Sequence, residues 1–217
     1  MTDPRAEPLG RPLVVAVPKG RILKPLVALF ARAGIDSAGL LSDDRSLVRD
    51  TGGLRFLLLK PDDVPTYVEY GAADLGVCGR DVLDEREPDV YRPLDLGIGV
   101  CRLVVAGPVG APPPGGRPRV ATKYPRSAAA HFGARGVQPE IVYVQGSVEL
   151  APVTGLADVI VDIVETGTTL AENGLAIVET VKPVSTALIA NRVSYKYYAA
   201  EVRALVRRLE GALAAAG

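Results

Sequence analysis

The chain has 217 residues, 48% of them hydrophobic and 23% charged, which is enough to bury a substantial core in one large domain or two small lobes. Lys plus Arg equals Asp plus Glu at 25 each, which argues against a nucleic-acid or membrane-surface binder and makes any basic site local. No apolar run approaches the roughly 18–20 residues of a membrane span, the polar start MTDPRAEPLGRP lacks an apolar signal segment, and Cys78 and Cys101 make no disulfide framework, which together imply a reduced, cytoplasmic setting.

In chain order, residues 1–11 read as a disordered lead-in. Leu13–Val17 is a buried strand and Pro18-Lys19-Gly20-Arg21 a turn. A helix follows over Leu23–Arg32, with Leu23, Leu26, Val27, Leu29 and Phe30 on its apolar side and Gly34 as its stop. Strand, basic turn and helix suit an anion; a solvated charge pair is the alternative. Leu40–Asp50 reads as a polar loop carrying Arg45, and Leu54–Lys60 as a strand. The segment PDDVPTYVEYG is a helix with Asp62 or Asp63 near its N-cap and Gly71 at its end. Asp74–Cys78 is a short strand ending at Gly79, and Asp81 begins another helix. This alternation predicts a parallel sheet covered on both faces, whose active site collects at the carboxyl ends of the strands. Lys19, Arg21, Lys60 and Gly79 all lie just past predicted strand ends.

After Gly97 and Gly99 comes a long apolar strand, Val100–Ala106, and then the Pro/Gly-rich surface loop PVGAPPPGGRP. Arg119–Thr122 is a strand, Tyr124–Arg135 contains a helix ended by Gly136, and Glu140–Val144 is a strand. Residues 145–152 turn into a short helix. The stretch Asp158–Asn173 then runs from an apolar strand through Glu165-Thr166-Gly167-Thr168-Thr169 into a helical segment at Leu170. Unpaired N–H groups at that helix start, with the threonine hydroxyls, suit a phosphate, and Gly167 suits a close backbone approach. Asp162 and Glu165 lie beside the turn, where carboxylates accept from sugar hydroxyls. An ordinary βα turn with threonine caps is the alternative. Gly174–Val181 and Ser185–Ala190 read as strands, and Tyr195–Ala215 as one amphipathic helix with Val202, Leu205, Val206, Leu209 and Leu213 packed on a core. The expected division is residues 1–97 with 182–217 in one lobe, and 98–181 in the other.

The segments VAVPKGRIL (15–23), KPDDVPTYVEYGAADLGVCGRDVL (60–83), ATKYPRSAAAHF (121–132), GSVELAP (146–152) and GLADVIVDIVETGTTLAENGL (155–175) together resemble the ATP phosphoribosyltransferase family. The resemblance implies an α/β fold of two lobes like the periplasmic binding proteins, with a cleft between them. ATP and phosphoribosyl pyrophosphate (PRPP) would meet there with Mg²⁺, held mainly by substrate phosphates. Thr166, Gly167, Thr168 and Thr169 would hold the 5-phosphate of PRPP, with Asp162 and Glu165 near its ribose. Lys19, Arg21 and Arg45 would supply charge to the pyrophosphate and triphosphate, Arg21 and Arg45 acting in catalysis. Gly20, Lys60, Gly79 and Glu149 would lie on the ATP and pyrophosphate side, helix capping being the other role open to Glu149. Where the family often has Arg-Lys, this chain has Arg45-Ser46, so one cationic contact is absent or replaced.

The chain stops after one helix, which matches the short form of the family. Its members pair with a separate regulatory subunit resembling the histidyl-tRNA synthetase catalytic core, in a hetero-octamer. Three other readings compete. A two-lobed binding protein would normally be exported and has no reason to carry both PKGR and ETGTT. A free-base salvage phosphoribosyltransferase usually has adjacent acidic residues before its Thr-Gly, whereas here they are Asp162 and Glu165. A scaffolding subunit would make the basic turns decorative.

Overall fold

The computed structural model describes residues 10–43, 45–112 and 116–215. The expected lead-in over 1–9 and the centre of the Pro/Gly-rich loop at 113–115 lie outside them. The chain divides into two compact units, one running to Gly99 and resuming at Ser185, the other spanning Val100–Val184.

In the first unit, β1 (Leu13–Pro18) is followed by α1 (Leu23–Arg32), a 3₁₀ turn (Ala38–Leu41), β2 (Val48–Thr51) and β3 (Leu54–Leu59). Next come a second 3₁₀ turn (Pro61–Asp63), α2 (Val64–Glu69), β4 (Leu75–Gly79), α3 (Arg80–Arg86) and β5 (Tyr91–Asp95). The second unit contains β6 (Cys101–Pro108), β7 (Arg119–Thr122), α4 (Pro125–Gly133), β8 (Glu140–Tyr143), α5 (Leu150–Val153), β9 (Val159–Val164), α6 (Thr168–Glu172) and β10 (Leu175–Val184). β11 (Thr186–Ala190), α7 (Arg192–Tyr197) and α8 (Ala199–Ala214) return to the first unit.

Both sheets are mixed, not parallel as the alternation suggested. The first has the order β2-β3-β1-β4-β11-β5 and the second β10-β6-β9-β7-β8. β3, β1 and β4 are parallel, as are β8, β7 and β9, while β2, β11, β6 and β10 pair antiparallel with their neighbours. Strand direction follows from connection length. β2 turns into β3 through Gly52 and Gly53, both at positive φ (59° and 76°), which is the two-residue hairpin that joins antiparallel strands.

That hairpin corrects the expected polar loop over Leu40–Asp50. Val48-Arg49-Asp50-Thr51 is an exposed edge strand, and its polar composition hides it because only one edge and one face need pairing. The expected helix over Tyr195–Ala215 is two helices. Asn191 Oδ1 accepts the Val193 and Ser194 N–H groups at 3.0 Å, starting α7 earlier, and the chain breaks at Tyr198 before α8. α6 likewise begins at Thr168 rather than Leu170, capped by Gly167 instead of a threonine side chain. Asp63 stands at the N-cap of α2, but its carboxylate bonds to no helix N–H.

The first core gathers Val15 and Val17 of β1, Leu26, Leu29 and Phe30 of α1, Phe56 of β3, and Val202, Leu205 and Leu209 of α8. Each fully buried leucine or phenylalanine here is worth roughly 1.5–3 kcal/mol. α8 is therefore a core helix, as its apolar stripe predicts. Arg208 on it donates Nε to the Ala33 carbonyl at 3.1 Å and a second nitrogen to Gly34 O, covering the carbonyls left open at the end of α1. Arg11, expected in the lead-in, instead pairs with the buried Asp74 at 2.7 and 2.9 Å. In the second unit one cluster (Leu103, Val105, Val120, Tyr124, Phe132, Val161) and another (Val104, Ala106, Ala121, Ile160, Leu170) lie among β6, β7, β9 and their helices. Cys78 and Cys101 are buried thiols not joined to each other. Among the described residues no helix is long and apolar enough to cross a membrane.

Candidate active site

In the second unit the chain leaves β9 at Val164 and must reverse into a helix within three residues. Gly167 makes that possible with φ +87°, a conformation that costs an L-residue about 1–2 kcal/mol. Beyond it, the first-turn N–H groups of α6 precede any intrahelical acceptor. Thr166 Oγ1 and Thr168 Oγ1 lie 3.0 Å apart, and the Thr168 N–H donates toward Thr166 Oγ1 at 3.4 Å. At the other end Asn173 Nδ2 donates to the Thr169 carbonyl at 2.8 Å, pinning the short helix. Asp162 Oδ1 accepts its neighbour's Ile163 N–H at 2.8 Å.

A cavity of about 320 Å³ opens on this turn and is lined by Asp162, Glu165, Thr166, Gly167, Thr168 and Thr169. All six expected residues of the turn thus share one wall. Glu149 lines the same cavity. It stands at the residue before α5 without a side-chain cap bond, so the capping role left open for it is not made. Hydroxyls and backbone N–H groups beside carboxylates in one cavity wall suit a phosphate attached to a polyol.

A larger cavity of about 530 Å³ lies at the opposite end of the same sheet, where β6 ends and β7 and β9 begin. Arg119 and Asp158 in its wall satisfy each other, Arg119 N–H to Asp158 Oδ2 at 2.8 Å and Arg119 Nη2 to Oδ1 at 3.0 Å. Size favours this cavity; chemistry favours the smaller one, whose wall gathers three threonine hydroxyls and a left-handed glycine beside carboxylates.

In the first unit, parallel pairing of β3, β1 and β4 brings Lys60, the Lys19–Arg21 turn and Gly79 to one end of the sheet. The Lys19 N–H donates to Leu59 O at 2.8 Å, and Gly20 turns at φ +85°. A cavity of about 340 Å³ there includes Lys19, Gly20, Lys24, Ser42, Asp43, Ser46 and Arg49 in its wall. Lys24 and Arg49 were not among the expected residues. Lys24 is the second residue of α1 and belongs to no motif, and Arg49 lies in the segment whose composition reads as loop. Arg21 reaches elsewhere, donating Nη1 to Gly99 O at 2.7 Å. Arg45 is exposed on the loop before β2 and is not in the cavity wall, and Lys60 is exposed at the end of β3. Gly79 is buried, and a Cβ there would stand 2.2 Å from Asp81 Oδ1, so its glycine serves the start of α3 directly. The expected residues therefore form two groups, one in each unit.

A family model described as ATP phosphoribosyltransferase matches residues 60–211. The ATP phosphoribosyltransferase of Sorangium cellulosum (strain So ce56) is 63% identical over 211 residues, covering 96% of this chain and 100% of the relative. That of Anaeromyxobacter sp. (strain K) is 52% identical over 210 residues, covering 94% and 95%. Among solved structures, the ATP phosphoribosyl transferase (HisG:HisZ) complex from Thermotoga maritima matches at TM-score 0.80 and 36% identity, over 93% of this chain and 98% of that one. The periplasmic aliphatic sulphonate binding protein SsuA from Escherichia coli matches at TM-score 0.59 and 14% identity, over 94% of this chain and 73% of that one, a likeness of fold alone. A family match over most of the chain and relatives of its own length at this identity leave one assignment: the chain belongs to the ATP phosphoribosyltransferase family.

Proposed function

We infer that this chain joins N1 of the ATP adenine to C1 of PRPP with release of pyrophosphate, the first step of histidine biosynthesis. The observation that carries the reading, within this family, is the Thr166–Thr169 turn with its left-handed Gly167 in one cavity with Asp162, Glu165 and Glu149. Thr166, Gly167, Thr168 and Thr169 hold the 5-phosphate, Asp162 and Glu165 lie by the ribose hydroxyls, and Glu149 contacts ligand in the same cavity. Lys19, Arg21 and Arg45 bring positive charge to pyrophosphate and triphosphate, and Gly20, Lys60 and Gly79 belong to the same end of the sheet.

The bond formed is N1 to C1, and the bond broken is C1 to the pyrophosphate oxygen, which departs with the electron pair. Neutral adenine offers a lone pair at N1, so little proton transfer is needed. The transition state gathers positive charge on the ribose and negative charge on the leaving group, and fixed charge around it does the catalysis. Among the described residues no three His, Cys, Asp or Glu side chains gather as a metal cage. Mg²⁺ would be held mainly by the substrates' phosphate oxygens and would neutralise their charge there.

The solved relative is a HisG:HisZ complex, which supports a separate partner subunit for this chain; that the partner is regulatory and the assembly a hetero-octamer belongs to the proposal. Histidine then inhibits only when that subunit is present. Phosphoribosyl-ATP formation by the purified chain across a wide histidine range, with and without the partner, checks this; potent inhibition of the chain alone, noncompetitive with both substrates, contradicts it. The reaction itself is tested by ultraviolet absorbance with ATP and PRPP, which rises as phosphoribosyl-ATP forms.

A further inference from the structure

Ser46 is where this chain departs from the Arg-Lys pattern of the resemblance. Its hydroxyl is not a substitute for the missing charge, because it donates to the Val48 carbonyl at 2.8 Å. Three residues on, Arg49 enters the wall of the same cavity. β2 holds it there, paired with Phe56 of β3 across the hairpin, and its Nε is buried. Lys19 and Lys24 stand in the same wall, so that its described residues include the cations Lys19, Lys24 and Arg49 and the carboxylate of Asp43. Leu23, Leu40 and Leu58 supply apolar surface for the stems of these long side chains. At about 340 Å³ the space lies near the lower end of small-ligand pockets, which run from about 300 to 1,000 Å³, so it suits a part of a nucleotide rather than the whole.

We propose that Arg49, with Lys24 beside it, replaces the cation that Ser46 does not provide, and that this cavity takes a polyphosphate chain, either the triphosphate of ATP or the pyrophosphate group of PRPP. The proposal rests on the phosphoribosyl-transfer reading and adds two residues to it. An arginine is suited to the task because its planar fork bonds two phosphate oxygens at once. Its place on a strand tied into the sheet fixes that fork more firmly than a loop would.

The test is a calorimetric titration of the purified chain with ATP and, separately, with inorganic pyrophosphate, using wild type, R49A, R49K and the double variant S46K/R49A. Loss of one charge-assisted hydrogen bond predicts a weakening of about tenfold or more in R49A. R49K, which keeps the charge, loses less, and S46K/R49A recovers most of the lost affinity. A merely structural Arg49 would not be rescued by a lysine at position 46. The titrant that weakens identifies the source of the polyphosphate. Wild-type affinity for both titrants in R49A overturns the proposal, and so does a weakened R49A that S46K fails to restore. If R49A melts early, the comparison of R49K with R49Q at equal melting temperature reads the same charge: equal affinities overturn the idea. Failure of the underlying reading looks different, with no phosphoribosyl-ATP formed by wild type from ATP and PRPP in either the chain or its complex.

Discussion

Gly-Ala-Ala-Asp at 71–74 and Gly-Leu-Ala-Asp at 155–158 build the same joint twice, once in each unit. Gly71 and Gly155 both turn left-handed, at φ +75° and +74°. Asp74 and Asp158 each precede a strand and accept the N–H of the neighbouring parallel strand at 2.8 Å, from Val14 and Arg119 respectively. Each also pairs with an arginine, Arg11 or Arg119. The two joints differ in burial: Asp74 is 1% exposed and has a third partner in Ser194 Oγ at 2.7 Å, whereas the Asp158 side chain is 36% exposed. The strands that follow diverge further. β4 ends at Gly79 beneath Asp81, whereas β9 ends in the threonine turn. A shared device fixes the amino ends of the strands, and the chemistry is installed separately at the carboxyl ends.

Breaking the carboxyl end of β9 should have the largest effect. Gly167→Val is expected to abolish PRPP binding in a calorimetric titration while ATP binding changes little and the melting temperature falls by a few degrees from backbone strain. A β-branched residue at φ +87° is an outlier, and its side chain would enter the space proposed for the phosphate. Gly167→Ala sharpens the point. Its Cβ would meet Val164 Cγ1 at an ordinary 3.8 Å, so about 1–2 kcal/mol of backbone strain is the main cost and weak binding should survive.

Asp74→Ala should cost about 3–5 kcal/mol in denaturant unfolding, because the Arg11 charge, the Val14 N–H and the Ser194 hydroxyl lose their acceptor. Burial pushes the Asp74 carboxyl up, but Arg11, Val14 N–H and Ser194 together hold it below its ordinary 3.8. Its stabilisation is therefore complete above that value and is lost as pH falls through the lower folded-state one. Acid unfolding followed at several pH values should lose this dependence in Asp74→Ala.

Arg21→Ala and Arg45→Ala come next, each lowering kcat/KM roughly thirtyfold or more, about 2–5 kcal/mol, with the fold intact. Unchanged kcat/KM in both would remove them from the site. Asp158→Ala should be the smallest effect, within about 1 kcal/mol on stability, since its pair with Arg119 is screened by solvent. A cost equal to that of Asp74→Ala would show that burial is not what separates the joints.

Local chemistry explains what could be read from the sequence. β1, α1 and β7 are apolar runs bounded by Pro, Gly and charged residues, and their limits are plain. The turn of residues 165–169 was legible because its left-handed corner favours glycine and threonines surround it. Strand direction was not, since nothing in Thr186–Ala190 says that it runs antiparallel to β4 after the chain has built another unit. β2 and β5 were hidden because edge strands carry charge and proline, as in Val-Arg-Asp-Thr and Tyr-Arg-Pro-Leu-Asp. Arg49 depended on β2: until the strand is recognised, its side chain has no direction.

The most direct test of the central claim is the absorbance of phosphoribosyl-ATP in a mixture of ATP, PRPP and Mg²⁺ with the purified chain, alone and with the proposed regulatory subunit, wild type against Gly167→Val. The account predicts a rise with wild type and none with Gly167→Val at a temperature where both are folded. No rise with wild type in either setting, or an equal rise with Gly167→Val, would contradict it.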